Sequence, residues 1–169
     1  MHAYGDVATE LGRFRVAWSS EGICMICRAD MSRKAFESEF AKRHGNSPLQ
    51  QDIPERYASA IRQAALGCTY APVPIDLSGL TDFQRKVLNI LQKVPRGEVR
   101  TYLWLAEKAG KPRASRAVGN TMARNPVPIL VPCHRIVPRC GGVGNYGLGP
   151  SIKRELLKRE GVSAVLLQI

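Results

Sequence analysis

The segment Val131-Pro132-Cys133-His134-Arg135 puts a thiol, an imidazole and a guanidinium on consecutive positions. A thiol near neutral pH is mostly protonated while the thiolate is the nucleophile, so reaction demands a base or a positive field beside the sulfur. His134 is the candidate base, and it is the one histidine beyond residue 80, since His2 and His44 lie earlier. Neighbouring side chains usually diverge, which favours one bridging water over direct contact between Cys133 and His134. Taken alone, a Cys beside a His is more often structural than catalytic, so the chemistry depends on its surroundings. The prolines on either side are expected to keep this stretch from forming a helix.

A second set of residues is basic. Steps of three and four bring Arg113, Arg116, Asn120 and Arg124 to one stripe of a helix. Ala114, Ala117, Val118 and Gly119 keep much of the rest thin, so backbone could approach a flat partner closely. The chain carries 25 Lys and Arg against 14 Asp and Glu, a formal net charge of +11, which makes a polyanion the first partner to consider. A basic but otherwise ordinary surface, with a solvated helix, is the competing reading.

The remaining cysteines are Cys24, Cys27, Cys68 and Cys140. Cys24-x-x-Cys27 has the spacing of a zinc half-site, but no second such pair follows and its apolar neighbours suit buried thiols. Cys68 and Cys140 read as packing or bystander thiols. An odd total argues against a disulfide framework in a chain that reads as intracellular. Met1-His2-Ala3-Tyr4-Gly5-Asp6 lacks the order of a secretory signal, and no apolar run approaches the roughly 18–20 residues of a membrane span. A cytoplasmic protein with no membrane partner is expected.

These residues must be held by elements that the pattern outlines. Period-two alternation over residues 12–29 predicts a β-hairpin, with Phe14, Val16 and Trp18 pointing one way and Ile23, Met25 and Cys27 likewise sharing a face. Helices are expected over 32–44 and 54–66, with Gly45 and Gly67 as their stops. Residues 69–80, with Pro72, Pro74 and Gly79, read as an extended connector, giving an N-terminal domain over 1–75 and a C-terminal domain over 76–169. Thr81 and Gln84 form a capping box ahead of a helix whose apolar face is Phe83, Val87, Leu88, Leu91 and Val94. A short helix over 102–109, a Gly110-Lys111-Pro112 turn and a helix over 113–124 suggest a helix-turn-helix. A last helix spans 151–160 and stops at Gly161.

Phe83-Gln84, Pro95-x-Gly97, Tyr102, Arg116-Ala117-Val118-Gly119, Asn125-Pro126, Pro132-Cys133-His134-Arg135, Gly144-Asn145-Tyr146, Lys153, Leu156-Leu157 and Glu160-Gly161 occur in this order along the second half. Together they resemble the O6-alkylguanine-DNA alkyltransferases, also called methylated-DNA–protein-cysteine methyltransferases. The first half is similar only loosely, as a small sheet-and-helix domain. The resemblance implies an α+β fold: an N-terminal ribonuclease H-like domain, then a mostly helical C-terminal domain with a helix-turn-helix. It implies a DNA repair protein that moves an alkyl group from O6 of guanine in duplex DNA irreversibly onto its own cysteine.

By this similarity Cys133 is the acceptor, His134 its water-linked base and Glu160 the carboxylate that orients and charges up His134. Asn125 braces the loop, and Tyr102 donates toward the guanine ring. Arg116 fills the space left by an extruded base, Ala117 and Gly119 suit a minor-groove approach, and Arg124 and Lys111 contact phosphates. Tyr146, Met122 and Pro128 line the base pocket, with the backbones of Ile136 and Gly147 at the base edge. The implied partner is double-stranded DNA containing O6-alkylguanine, bound by a monomer that uses no metal and no cofactor. Gly147 is Ser in some relatives, which removes a side-chain hydrogen bond and leaves a backbone one. A transcription regulator would leave Cys133, His134 and Glu160 unused, a Cys–His hydrolase has no need of Arg116, and a non-catalytic binder of alkylated DNA would lack the acceptor cysteine.

Overall fold

The computed structural model describes residues 1–164; residues 165–169, the end of the expected second domain, lie outside the described residues. Four strands, β1 (Ala3–Thr9), β2 (Gly12–Trp18), β3 (Ile23–Arg28) and β4 (Leu49–Gln50), form a sheet in the order β3-β2-β1-β4. Only β4 runs parallel to its neighbour. The hairpin of β2 and β3 is as the alternation predicts, but a register shift after Ala17 pairs Trp18 with Ile23 and Ala17 with Met25. This bulge breaks the period of two, so Ile23 and Ile26 join one core while Cys24, Met25 and Cys27 join another. The expected shared face of Ile23, Met25 and Cys27 is therefore corrected.

Each face of the sheet is covered by a helix. On one, α1 (Arg33–His44) lays Phe36 and Phe40 against Tyr4, Ala17, Cys24 and Met25. The Ser32 hydroxyl caps α1 by accepting from the Ala35 amide, and Gly45 ends it in the left-handed region. On the other face, α2 (Glu55–Ala65) packs Tyr57, Ala58 and Ile61 against Val7, Phe14 and Val16. That cluster continues past residue 75 into Val87, Leu88, Leu91, Val118, Met122, Cys133 and Leu156, so apolar packing runs unbroken from the sheet to the thiol.

In the second half, α3 (Asp82–Leu91) begins with the expected capping box. Thr101 caps α4 (Tyr102–Lys108) through the Trp104 amide, and Gly110 turns the chain toward α5 (Ser115–Ala123). Helix α5 starts two residues later than the pattern predicts, with Pro112 just ahead and no side-chain cap at Ala114. Cys133–Arg135 form a single 3-10 turn, closed by the Arg135 amide on the Pro132 carbonyl at 2.9 Å. The expectation of no helix is thus corrected: Pro132 precedes the turn, where its missing N–H costs nothing. A two-residue parallel ladder of β5 (Arg100–Thr101) and β6 (Ile136–Val137) follows the turn, and α6 (Pro150–Arg159) ends at Glu160 and Gly161. Among the described residues no helix is long and apolar enough to cross a membrane.

Candidate active site

Cys133 opens the 3-10 turn with 5% of its surface exposed. Its sulfur accepts a hydrogen bond from Asn125 Nδ2 at 3.0 Å. The same Nδ2 donates to the Val131 carbonyl at 2.9 Å, while Asn125 Oδ1 accepts from the Val127 amide at 3.0 Å. One side chain thus ties together both ends of the loop that leads to the thiol.

His134, fully buried, bonds through Nε2 to Glu160 Oε1 at 2.8 Å. An ionised carboxylate only accepts, so Nε2 carries the proton and Nδ1 keeps its lone pair. Nδ1 is buried and has no partner among the described residues. Glu160, the C-cap of α6, also takes a forked pair from Arg135, Nη2 to Oε1 at 2.8 Å and Nε to Oε2 at 3.0 Å. Arg135 Nη1 is fixed by the Val94 carbonyl at 2.6 Å, just past the end of α3.

Burial would raise Glu160, but the bonds from His134 and Arg135 outweigh it and bring it down to about 2. For His134 burial wins: despite Glu160, its imidazole lies below the ordinary range. The expected charging-up of His134 by Glu160 is therefore offset by burial, with Arg135 opposing it further. Burial likewise pushes the Cys133 thiol up, opposed by the Asn125 amide, the Lys153 charge and Tyr146.

Lys153 is fully buried on α6 and donates to the Ile136 carbonyl at 2.6 Å. Burial draws its ammonium down to about 8, and the charge of Cys133 works the other way. The Tyr146 ring meets His134 edge-on at 6.3 Å, and its hydroxyl is buried beside the Cys133 sulfur and the Ile129 backbone. Tyr102, half-buried at the start of α4, is raised by burial and then by the charge of Cys133.

A cleft of about 750 Å³ contains Cys133 and Asn125 in its wall, with Met122, Pro128, Tyr146 and Gly147 beside them. Ile136 stands apart from these: it is buried, and its carbonyl takes the Lys153 ammonium. Arg116, Ala117, Arg124 and Lys111 are exposed. Lys111 lies 5.0 Å over the Phe83 ring, and a Cβ placed on Gly119 would meet nothing within 4 Å.

Arg135 and Lys153 had no role assigned from the sequence. A lysine inside the apolar stripe of Ile152, Leu156 and Leu157 is the one signal that marks Lys153 as buried. Cys24 and Cys27 are buried free thiols, pushed up by burial to about 12 and about 11. Cys68 and Cys140 are exposed, which corrects the packing half of their reading. Among the described residues no group of three or more His, Cys, Asp or Glu side chains is arranged to hold a metal.

The pattern of the 6-O-methylguanine DNA methyltransferase DNA-binding domain matches residues 82–162. The bifunctional transcriptional activator/DNA repair enzyme Ada of Escherichia coli is 35% identical over 93% of this chain, which spans 45% of the length of Ada. A methylated-DNA–protein-cysteine methyltransferase of Methanothermobacter thermautotrophicus is 31% identical over 88% of this chain and 79% of its own length. The structure is similar to Mycobacterium tuberculosis OGT in complex with DNA, with a TM-score of 0.76 and 28% identity over 99% of each chain. With the thiol, its asparagine donor and the buried His134–Glu160–Arg135 cluster all in the matched region, the chain belongs to the methylated-DNA–protein-cysteine methyltransferase family.

Proposed function

We propose that this protein repairs duplex DNA by moving the alkyl group of an O6-alkylguanine irreversibly to Cys133. The observation that carries this is a cleft-lining thiol with an amide donor at 3.0 Å, beside a histidine kept neutral by burial whose Nδ1 has no partner among the described residues. The thiolate attacks the alkyl carbon, the S–C bond forms as the C–O6 bond breaks, and guanine leaves with the electron pair and takes up a proton. His134 Nδ1 receives the thiol proton through one water, and Tyr102 donates toward the ring as charge builds there. Because a thioether does not revert, each molecule acts once.

The target carbon is out of reach in a stacked duplex, so the base is extruded into the cleft, against Tyr146, Met122 and Pro128, with the backbone of Gly147 at its edge; the Ile136 carbonyl, held by Lys153, stands outside the cleft wall. In this reading α4 and α5 act as a helix-turn-helix laid in the minor groove. Arg116 occupies the vacated stack, Ala117 and Gly119 permit the close approach, and Lys111 and Arg124 bind phosphates. The open space around Gly119 supports this role, because packing inside the protein does not require a glycine there. Residues 1–75 serve as a ribonuclease H-like support for the domain over 76–169, and the protein works as a monomer in the cytoplasm.

Incubation with an oligonucleotide carrying O6-methylguanine should add the mass of one CH2 to the peptide containing Cys133, once per protein molecule. Sustained turnover, or modification at another residue while the lesion disappears, would reject the proposal.

A further inference from the structure

The loop over residues 125–132 is held in a shape that its sequence disfavours. Ile129, β-branched and buried, has φ 76°, the one non-glycine residue at positive φ among the described residues. Such a conformation persists only where its surroundings over-determine it. Part of that restraint is internal, through Asn125 and a Val131 amide that donates to the Val127 carbonyl at 2.9 Å. A further part comes from the first 75 residues. The Ile26 amide of β3 donates to the Pro126 carbonyl at 2.7 Å, and the Tyr70 hydroxyl donates to the Leu130 carbonyl at 3.3 Å, one residue from the strained position.

Tyr70 acts from a fixed base. Downstream of it the connector is bound to the edge of β3, with the Ile23 amide on the Pro74 carbonyl at 2.9 Å and the Asp76 amide on the Ile23 carbonyl at 2.8 Å. The approach is so close that a Cβ on Gly22 would lie 2.3 Å from the Pro74 oxygen. We propose that Tyr70 is a positioning residue for alkyl transfer: by holding the Leu130 carbonyl it keeps the strained loop in the shape that sets the Asn125 amide against the Cys133 sulfur. Val131, next to Leu130, shares its carbonyl with that same amide, so release of Leu130 lets Ile129 relax and draws the donor off the sulfur. This rests on the alkyl-transfer reading of Cys133.

Tyr70→Phe keeps the ring and removes only the hydroxyl. In the full-length protein, single-turnover transfer from O6-methylguanine DNA should slow about fivefold, the equivalent of one neutral hydrogen bond. DNA affinity should not change. The pH at which iodoacetamide half-maximally labels the Cys133 peptide should move up, because the thiolate loses its donor. In an Asn125→Ala background Tyr70→Phe should cost nothing further. A folded Tyr70→Phe with wild-type transfer, an unmoved labelling midpoint, or a full additive loss on Asn125→Ala would each overturn the proposal. If the wild-type protein never loads a methyl group on Cys133, the function reading falls instead, and the labelling midpoint still decides the role of Tyr70.

Discussion

Replacing Glu160 by Gln tests the centre of the site without changing its volume. The carboxylate accepts from His134 Nε2 and Arg135 Nη2 at 2.8 Å and from Arg135 Nε at 3.0 Å, in a position that is 6% exposed. A glutamine there turns an amide N–H toward groups that are all donors and leaves a guanidinium without its counter-charge. With the carboxyl held at about 2 rather than the ordinary 4.5, the ionised form contributes about 3 kcal/mol of stability at neutral pH. The folded-state pKa is depressed, so this contribution is present above pH 4.5 and is lost as pH falls toward 2. The gap between wild type and Glu160→Gln should therefore be about 3 kcal/mol at pH 7 and about 1 kcal/mol at pH 3. Urea unfolding at the two pH values measures it, and thermal unfolding at pH 7 should show a Tm lower by about 10 °C. Equal stability at pH 7, or a gap that stays constant into acid, would refute the assignment of Glu160 as an ionised, doubly engaged carboxylate.

Two further substitutions address α5, the helix proposed to face DNA. Arg116 is exposed, so Arg116→Ala should leave stability within about 0.5 kcal/mol. Transfer from duplex should fall much more than transfer from free O6-alkylguanine base, and equal losses on both substrates would remove its proposed role in the vacated stack. Gly119→Leu should raise thermal stability, by about 1 kcal/mol on helix propensity, since its side chain enters open space. Its affinity for duplex DNA, measured by fluorescence anisotropy, should nonetheless drop at least about tenfold if α5 lies in a groove narrow enough to need glycine. Unchanged affinity would take α5 off the interface.

What could be read from the sequence was what is decided locally. The capping box of Thr81 and Gln84, the stop of α1 at Gly45 and the end of α6 at Gly161 depend on residues within a few positions, and they appear where the pattern puts them. Strands β1 and β4 are missed because their cue is pairing: Ala3, Tyr4 and Gly5 are all buried, so β1 alternates only from Gly5 to Ala8, and β4 is two residues long. The bulge before Ile23 likewise has no local signature, since it follows from registering β3 against β2. At the site, the resemblance names Cys133, His134, Asn125 and Glu160, and the structure puts the Asn125 amide on the Cys133 sulfur and Glu160 on His134, whereas the sequence gives Arg135 and Lys153 no tasks. The bonds of Arg135 reach the end of α3 and the end of α6, 41 and 25 residues away in sequence, and chain order carries no trace of them.

On the proposed reading, the charges around the thiol offset one another in a way that suits His134 to take its proton. Arg135 engages both oxygens of Glu160, so the carboxylate faces a permanent cation and pulls less on His134; burial then keeps the ring neutral, with Nδ1 open to accept. Lys153 sits in the opposite balance. Its charge is disfavoured by burial, but it and a thiolate favour each other, so the ammonium becomes more stable as the sulfur becomes negative. Moving one proton from Cys133 to His134 therefore creates two charges that each meet an opposite one, thiolate with Lys153 and imidazolium with Glu160. Either charge alone would be costly at this depth; formed together, they are matched. A cysteine in such a setting stays neutral while its proton has no acceptor and becomes a nucleophile when the transfer is coupled. On the proposed reading, that is what a residue consumed by a single reaction requires.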